Sequence, residues 1–392
     1  MNWVSLVLAV SFGVGLYAYL GYPLLLKLVD LLRSASAPLP PTNADWPTIS
    51  ITVPVYNEAD AIAALLENLL ALDYPTSRRQ ILVVSDASAD GTDDIVGRFA
   101  TRGVELLRLP ERRGKTAAEN AARPYLTGEI IVNTDASVRI DQRAVKHLVK
   151  ALADPTVGVA SACDVSVVSL DHPTNPGEQA YVGYEMWVRG LETRVFGIAG
   201  ASGCLYAIRK QLHRRFLPEA LSRDFAAALV ARQCGLRAVS VPQALCFVPR
   251  SASLRQEYRR KVRTVTRGLS TLFYERALLN PARYGLFAWM LFSHKLCRWL
   301  VPWASLLLLG SLAVIASVAP WARAALCAAA ALVGLAGLGW LWMEAKPMPR
   351  AVALAAYLVA GNVAALHAWL RVVAGELAPT WEPTRRRAPA AR

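Results

Sequence analysis

Two different spacings of apolar residues divide this chain. Residues 2–26, 299–321, 324–343 and 351–370 form runs without a charged side chain. Each reaches the length of roughly 20 residues that a helix needs to cross a bilayer. Between the first run and the second the pattern changes. Short, β-branched-rich runs at 49–55, 81–85, 104–109, 130–134 and 157–163 alternate with helical stretches near 59–72, 93–100, 116–125 and 142–152. Strands that are apolar at successive positions are buried on both faces, so the alternation predicts an α/β domain with a mostly parallel, Rossmann-like sheet between layers of helices.

The chain accordingly divides into an N-terminal transmembrane anchor (1–32), a proline-rich linker (33–47), an α/β domain (48–275), an interfacial amphipathic segment (276–298), three transmembrane helices (299–372) and a basic tail (373–392). Ala35-Ser36-Ala37 has the small residues of a signal-cleavage site. A basic n-region is missing and the apolar stretch is too long for a signal peptide, so an uncleaved anchor is expected. The middle region is large enough to bury a core of its own.

Composition adds two constraints. The net charge of +14 is patchy: Arg250, Arg255, Arg259, Arg260, Lys261, Arg263 and Arg267 gather shortly before the second apolar run. Beside a membrane span such a cluster meets anionic headgroups, and it also suits a diphosphate, so nucleic acid is not the expected partner. The six cysteines have neither C-x-x-C pairing nor metal-ligand spacing. A disulfide framework and a zinc site are therefore both unsupported, and a reducing cytosol fits.

Candidate chemistry begins at two strand ends. The runs 81–85 and 130–134 each close on an aspartate, Asp86 and Asp135, followed by small residues. Ligands of open parallel sheets bind at the carboxyl ends of strands. Two carboxylates there suit a nucleotide and a metal-bound diphosphate, whereas loop aspartates such as Asp90 and Asp93 fit the capping of a following helix. Glu58 follows Asn57 at the end of the first strand, where Asn57 is a candidate helix cap. Arg112-Arg113-Gly114-Lys115-Thr116 lacks the earlier glycine of a Walker A loop. It is either a phosphate-contacting turn or a solvated one.

In order and spacing, Pro54-Val55-Tyr56-Asn57-Glu58, Val84-Ser85-Asp86-Ala87-Ser88-Ala89-Asp90-Gly91-Thr92, Arg113-Gly114-Lys115-Thr116-Ala117-Ala118-Glu119-Asn120, Thr134-Asp135-Ala136, Gly200-Ala201-Ser202-Gly203-Cys204 and Ser222-Arg223-Asp224-Phe225 resemble family-2 glycosyltransferases. The likeness covers roughly 48–275 and is to the membrane-bound polysaccharide branch that includes cellulose, chitin and hyaluronan synthases. It implies a GT-A fold and inverting transfer from a nucleotide sugar. By that resemblance Asp86 and Glu58 hold the nucleotide, Lys115 lies near it, and Asp135 binds Mg²⁺ or Mn²⁺ as the first member of a D-x-D pair. Ser137 occupies the second place and is the weaker ligand. Asp224 stands where the family has its catalytic base, with Arg223 in place of a preceding acid; a helix N-cap is its other reading. Gly203, Gln256, Arg259 and Arg260 correspond to acceptor and diphosphate contacts. Arg260 stands where the Q-x-x-R-W motif has a sugar-stacking tryptophan, which points to short additions or an acidic acceptor.

The resemblance implies a nucleotide sugar, a glycan or polyprenyl- or other lipid-linked acceptor, and membrane lipids as partners. It places a multi-pass protein in the inner (plasma) membrane with its domain in the cytosol. Three spans after a cytosolic domain carry Arg385-Arg386-Arg387 outside, against the positive-inside tendency; the side of the tail stays open. A non-catalytic or regulatory relative is the alternative, motivated by Ser137, Arg223 and Arg260. A transporter is disfavoured, because the four apolar runs carry no charge.

Overall fold

A computed structural model describes residues 3–32, 46–169, 172–173, 176–249, 253–342, 348–376 and 380. Most of the linker, Arg250 of the basic cluster, and the tail's Arg385-Arg386-Arg387 lie outside the described residues. The domain is built on a nine-stranded sheet in the order β3-β2-β1-β4-β8-β6-β9-β5, with β7 (His172–Pro173) paired to β6. Its parallel half runs from β3 (Val104–Arg108) through β2 (Arg79–Ser85) and β1 (Ile49–Val55) to β4 (Ile130–Thr134). Ile51 lies beside Ile81 on one side and Val132 on the other.

Alternate residues of these strands point into two cores. Ile81 and Val83 pack with Ile62, Leu66 and Leu69 of the Ala59–Leu70 helix. Leu82 and Val84 share the other face with Ala118 and Ala122 of the Lys115–Ala122 helix. The continuous apolar runs thus reflect a sheet covered on both faces.

Beyond β4 the sheet departs from the simple βα alternation. β8 (Leu205–Arg209) lies antiparallel between β4 and β6 (Val157–Ser169), and β9 (Arg237–Pro249) runs parallel to β6. β8 is short and follows a glycine-rich loop. β9 contains Pro242, and its register against β6 jumps from Ala162↔Val241 to Cys163↔Leu245. Such a bulge interrupts the periodicity by which a strand is recognised. A two-residue β5 (Arg139–Ile140) pairs with β9 at the far edge.

Among the described residues, four helices are long and apolar enough to cross a membrane: Trp3–Leu32, Leu286–Ile315, Pro320–Leu341 and Arg350–Val373. The second starts well before residue 299, so the expected interfacial segment is in large part the beginning of this helix. His294, Lys295 and Arg298 therefore sit within a candidate span, which removes the charge-free argument drawn from the sequence. They face acids of the Pro176–Val195 helix instead of lipid: His294 bonds Glu185 and Glu192, and Arg298 donates to Glu185 at 2.7 Å. This helix winds through a π turn at Phe292–Cys297, opposite another at Tyr17–Gly21. Tyr17 and Ser293 share a hydrogen bond of 2.7 Å across the two turns.

Gly128 shows how closely the strand ends approach. A Cβ there would lie 2.4 Å from the backbone of Ile49 and Ser50, which cannot move without breaking β1 from β4. Gly128→Ala is expected to cost at least about 1–3 kcal/mol, whereas Gly97→Ala, which meets open space, should cost nothing. Thermal unfolding of the detergent-solubilised variants checks this; equal midpoints would refute the packing argument.

Candidate functional site

The carboxyl ends of β1 and β2 are laced together before any ligand enters. Asn57, at φ 51°, donates its N–H to Ser88 Oγ and accepts from the Ala89 N–H through Oδ1. Its side chain therefore joins the two loops and does not cap its own helix. Glu58 N–H donates to Thr92 Oγ1 at 2.9 Å. Asp90 accepts from the N–H groups of Ala59 and Thr92, the capping role expected of it, while Asp93 pairs with Arg108.

Asp86, buried at the end of β2, accepts the N–H of Arg113 at 2.8 Å and of Gly114 at 2.7 Å. It thereby fixes the turn that starts the Lys115–Ala122 helix. Lys115 Nζ reaches Asp135 Oδ1 at 2.5 Å and the Gly203 carbonyl at 3.1 Å. Burial works against the Lys115 charge, but Asp135, Glu119 and Asp224 overcome it and hold its pKa above the ordinary lysine value.

Glu119 lies one helical turn beyond Lys115 and is 0% exposed. Burial raises its pKa, against the pull of Lys115 and Arg223. Arg223 Nε is 3.2 Å from this carboxylate, and the Arg223 guanidinium also donates to Asn120 and to the His213 carbonyl. The arginine in the place of the family's acid is thus paired away from its neighbour.

Asp224 itself sits in the first turn of the Arg223–Gln233 helix, where Ser222 is the N-cap. Ser222 Oγ donates to Asp224 Oδ1. Across from it, a Cβ on Gly203 would stand 2.7 Å from Asp224 Oδ2. Only glycine lets the loop after residue 200 come this close.

One cavity of about 370 Å³ brings together Glu58, Lys115, Asp135, Ser137, Gly203, Asp224, Gln256 and Arg260. Asp86 and Arg259 are not on its wall: Asp86 supports the turn behind Lys115, and Arg259 is exposed on the Leu254–Tyr274 helix. Arg260 forms a two-pronged pair with Glu257, at 2.8 and 2.7 Å. The cavity also collects groups that the sequence did not single out. Glu119 was legible as the i+4 partner of Lys115 on one helix face. Asp164, Arg189 and Lys295 come from distant elements and had no local signal; Ser202 Oγ lies within 2.8 Å of both Asp164 carboxylate oxygens. Among the described residues no group of three or more His, Cys, Asp or Glu side chains forms a metal site. Asp135 and Ser137 offer one carboxylate and one hydroxyl.

The family model described as Glycosyl transferase family 2 matches residues 50–216, and the chain carries a domain of that family with a GT-A fold. The Beta-monoglucosyldiacylglycerol synthase of Trichormus variabilis is 27% identical over 169 residues, covering 42% of this chain and 36% of that protein. Glycosyltransferase AglE of Haloferax volcanii is 32% identical over 109 residues, 27% of this chain and 36% of that protein. The chain thus spans about a third of the length of these curated relatives. The mannosyltransferase PcManGT from Pyrobaculum calidifontis, solved in complex with GDP-Man and Mn²⁺, matches over 94% of this chain and 99% of its own, with a TM-score of 0.71 and 25% identity.

Behind the site, His213 is buried and its Nε2 lies 3.2 Å from Asn133 Oδ1. Burial first, then Arg223 and Arg123, push its pKa well below the usual 6.5. The fold therefore holds the neutral ring. Its full contribution is present above about pH 6.5 and is lost as pH falls from there towards the depressed folded value, because only the unfolded chain takes up the proton. The thermal midpoint of the wild type should fall more steeply below pH 6.5 than that of His213→Gln; parallel profiles would refute this.

Proposed function

We propose that this chain is a membrane-bound inverting glycosyltransferase. It moves a sugar from a nucleotide-diphosphate donor to a hydroxyl of a glycan or lipid-linked acceptor, with its domain on the cytosolic side of the inner membrane. The observation that carries the reading is the placement of the Asp224 carboxylate in the same cavity as the Lys115–Asp135 pair, with Gly203 against both. In this reading Asp224 takes the proton of the acceptor hydroxyl. The acceptor oxygen bonds to the anomeric carbon, and the nucleoside diphosphate leaves from the opposite face with the electron pair of the broken bond.

Lys115 and the arginines 260, 263 and 267 on the cavity wall suit the charge that develops on that diphosphate. Glu58 stands on the nucleotide side, and Asp86 acts through the loop it holds as well as by any ribose or base contact. The oxygen donors of Asp135 and Ser137 fit Mg²⁺ or Mn²⁺, since such ions are bound through one or two carboxylates with substrate phosphates supplying further positions. When bound, the ion supplies positive charge at the diphosphate. The Mn²⁺ and GDP-Man of the PcManGT complex support a nucleotide sugar with a divalent ion, and the diacylglycerol in the name of the Trichormus relative supports a lipid acceptor. The non-catalytic reading loses two of its three motives, because Arg223 is paired with Glu119 and Arg260 with Glu257. With its guanidinium engaged, Arg260 is a poor replacement for a stacking ring, which favours short additions over a long neutral polymer.

Asp224→Asn should lower transfer by about 10²–10⁴-fold, the usual contribution of a general base, while nucleoside diphosphate binding persists. Product formed from labelled donor, measured beside calorimetric binding, tests this; wild-type turnover would eliminate Asp224 as the base. Ser137→Asp should make nucleotide binding more dependent on Mn²⁺, since a carboxylate is the better ligand for a hard cation. Titrations with and without EDTA that are identical in both proteins would remove the metal from the mechanism.

A further inference from the structure

A second cavity, of about 620 Å³, adjoins the first. The two share Asp164, Arg189, Arg260, Thr264, Lys295 and Trp299 on their walls, so these residues form a neck between them. The outer walls of the second cavity are different. Leu354, Tyr357, Leu358 and Gly361 come from the Arg350–Val373 helix, and Pro302 from the Leu286–Ile315 helix. The space therefore runs from between candidate membrane spans to the site that holds Asp224.

Its charge is one-sided. Its wall carries Arg189, Arg260, Lys261, Lys295 and Arg298 beside Asp164 and Glu185; Arg260 is held by Glu257 and Arg298 by Glu185, so the site turns on Arg189 and Lys295. Arg189 is 6% exposed, and its buried Nε has no hydrogen-bond partner among the described residues. Its nearest carboxylate oxygen, on Glu185, is 3.6 Å away. Lys295 Nζ is 4.0 Å from the same carboxylate. Glu185 is already engaged by His294 and Arg298, so it does not neutralise every cation around it. Two largely buried cations that share one already engaged carboxylate are costly unless an anion completes the site.

The chain between Gly200 and Gly203 also bounds how far Lys295 lies from the proposed base. Lys295 packs at Gly200 and Asp224 at Gly203. Three residues of chain reach at most about 10 Å, so with the gaps at either end the Lys295 ammonium lies within roughly 17 Å of the Asp224 carboxylate, a span that one to a few sugar units can bridge.

We propose that the acceptor is a membrane lipid whose apolar chain is joined to a sugar through phosphate. The chain lies in the second cavity along the Arg350–Val373 helix. The phosphate sits at Arg189 and Lys295, and a sugar hydroxyl reaches Asp224. The assignment of the acceptor rests on the glycosyltransferase reading; the binding site itself does not need turnover to be tested.

The full chain is placed in phosphatidylcholine nanodiscs without donor. Binding is compared for a polyprenyl-phosphate-linked monosaccharide, the same polyprenyl monosaccharide lacking phosphate, and the soluble sugar phosphate. The phosphate lipid should bind about tenfold more tightly than the neutral one, the scale of a buried charge contact. The soluble sugar phosphate should fail to compete at the same concentration. Arg189→Gln and Lys295→Gln should each erase most of the preference for phosphate, and Asn362→Phe should weaken both lipids by filling the apolar part. Equal wild-type affinity for the two lipids overturns the phosphate site, and competition by the soluble sugar phosphate overturns the lipid slot; neither comparison needs a variant to fold. Nucleoside diphosphate binding to the wild type is measured in parallel. Its failure would sink the glycosyltransferase reading, whereas nucleotide binding with indifferent lipids would sink only this proposal.

Discussion

The Asp86 carboxylate constrains the position of nearly everything else in the site. Each of its oxygens accepts a backbone N–H, one from Arg113 and one from Gly114. A buried carboxylate deprived of such partners would carry a large desolvation cost, so the turn and the strand end hold each other in place. The turn aims Lys115 at Asp135 and at the Gly203 carbonyl. The Gly203 loop in turn rests against Asp224. Four separate stretches of chain are thus brought to one cavity through a short series of polar contacts. Asp86 is absent from the cavity wall, yet the geometry of that wall depends on it.

The parallel half of the sheet and its motifs were legible because there local pattern and tertiary role coincide. β1, β2 and β4 are mostly apolar runs that lead into polar loops, so their sequence carries both the fold and the strand-end chemistry, whereas β3 is a largely exposed edge strand. β8 and β9 were not legible. β8, no shorter than β3 or β4, follows a glycine-rich loop and not a helix, β9 is broken by the bulge around Pro242, and their pairing with β6 is a long-range fact. The same distinction separates the site residues. Glu119 lies a helical turn from Lys115 and could be read from spacing. The environment of Arg223 could not, since Glu119 is more than a hundred positions away in the chain; only folding shows that the substitution beside Asp224 is absorbed by a partner elsewhere. Lys295 and Arg189 needed the packing of a candidate span against the domain before they had any meaning.

That packing is polar as well as apolar. His294 places each ring nitrogen against a carboxylate, Glu192 at 2.6 Å and Glu185 at 2.9 Å. Burial alone would raise the Glu185 pKa, but His294, Arg298 and Lys295 reverse the effect and hold it well below the usual range. Tyr22 of the first helix joins the network by donating to Glu192 at 2.5 Å. Around it, Tyr22, Leu26, Val188, Leu191, Val195 and Met290 form an apolar cluster drawn from the same three helices.

Charged residues in a candidate span are tolerable only where protein shields them from lipid. Here the shield is the Pro176–Val195 helix, which belongs to the domain. Pulling the domain away would leave His294, Lys295 and Arg298 in hydrocarbon and Glu185 and Glu192 without their cations. Breaking a buried pair by removing one partner costs about 3–5 kcal/mol, and several such pairs would break together. The span and the domain are therefore held as one unit, and the relation between the two cavities is fixed by the same contacts. A device that looks like an expensive way to join a domain to a membrane thereby keeps cationic side chains at the neck, where purely apolar packing would have sealed it.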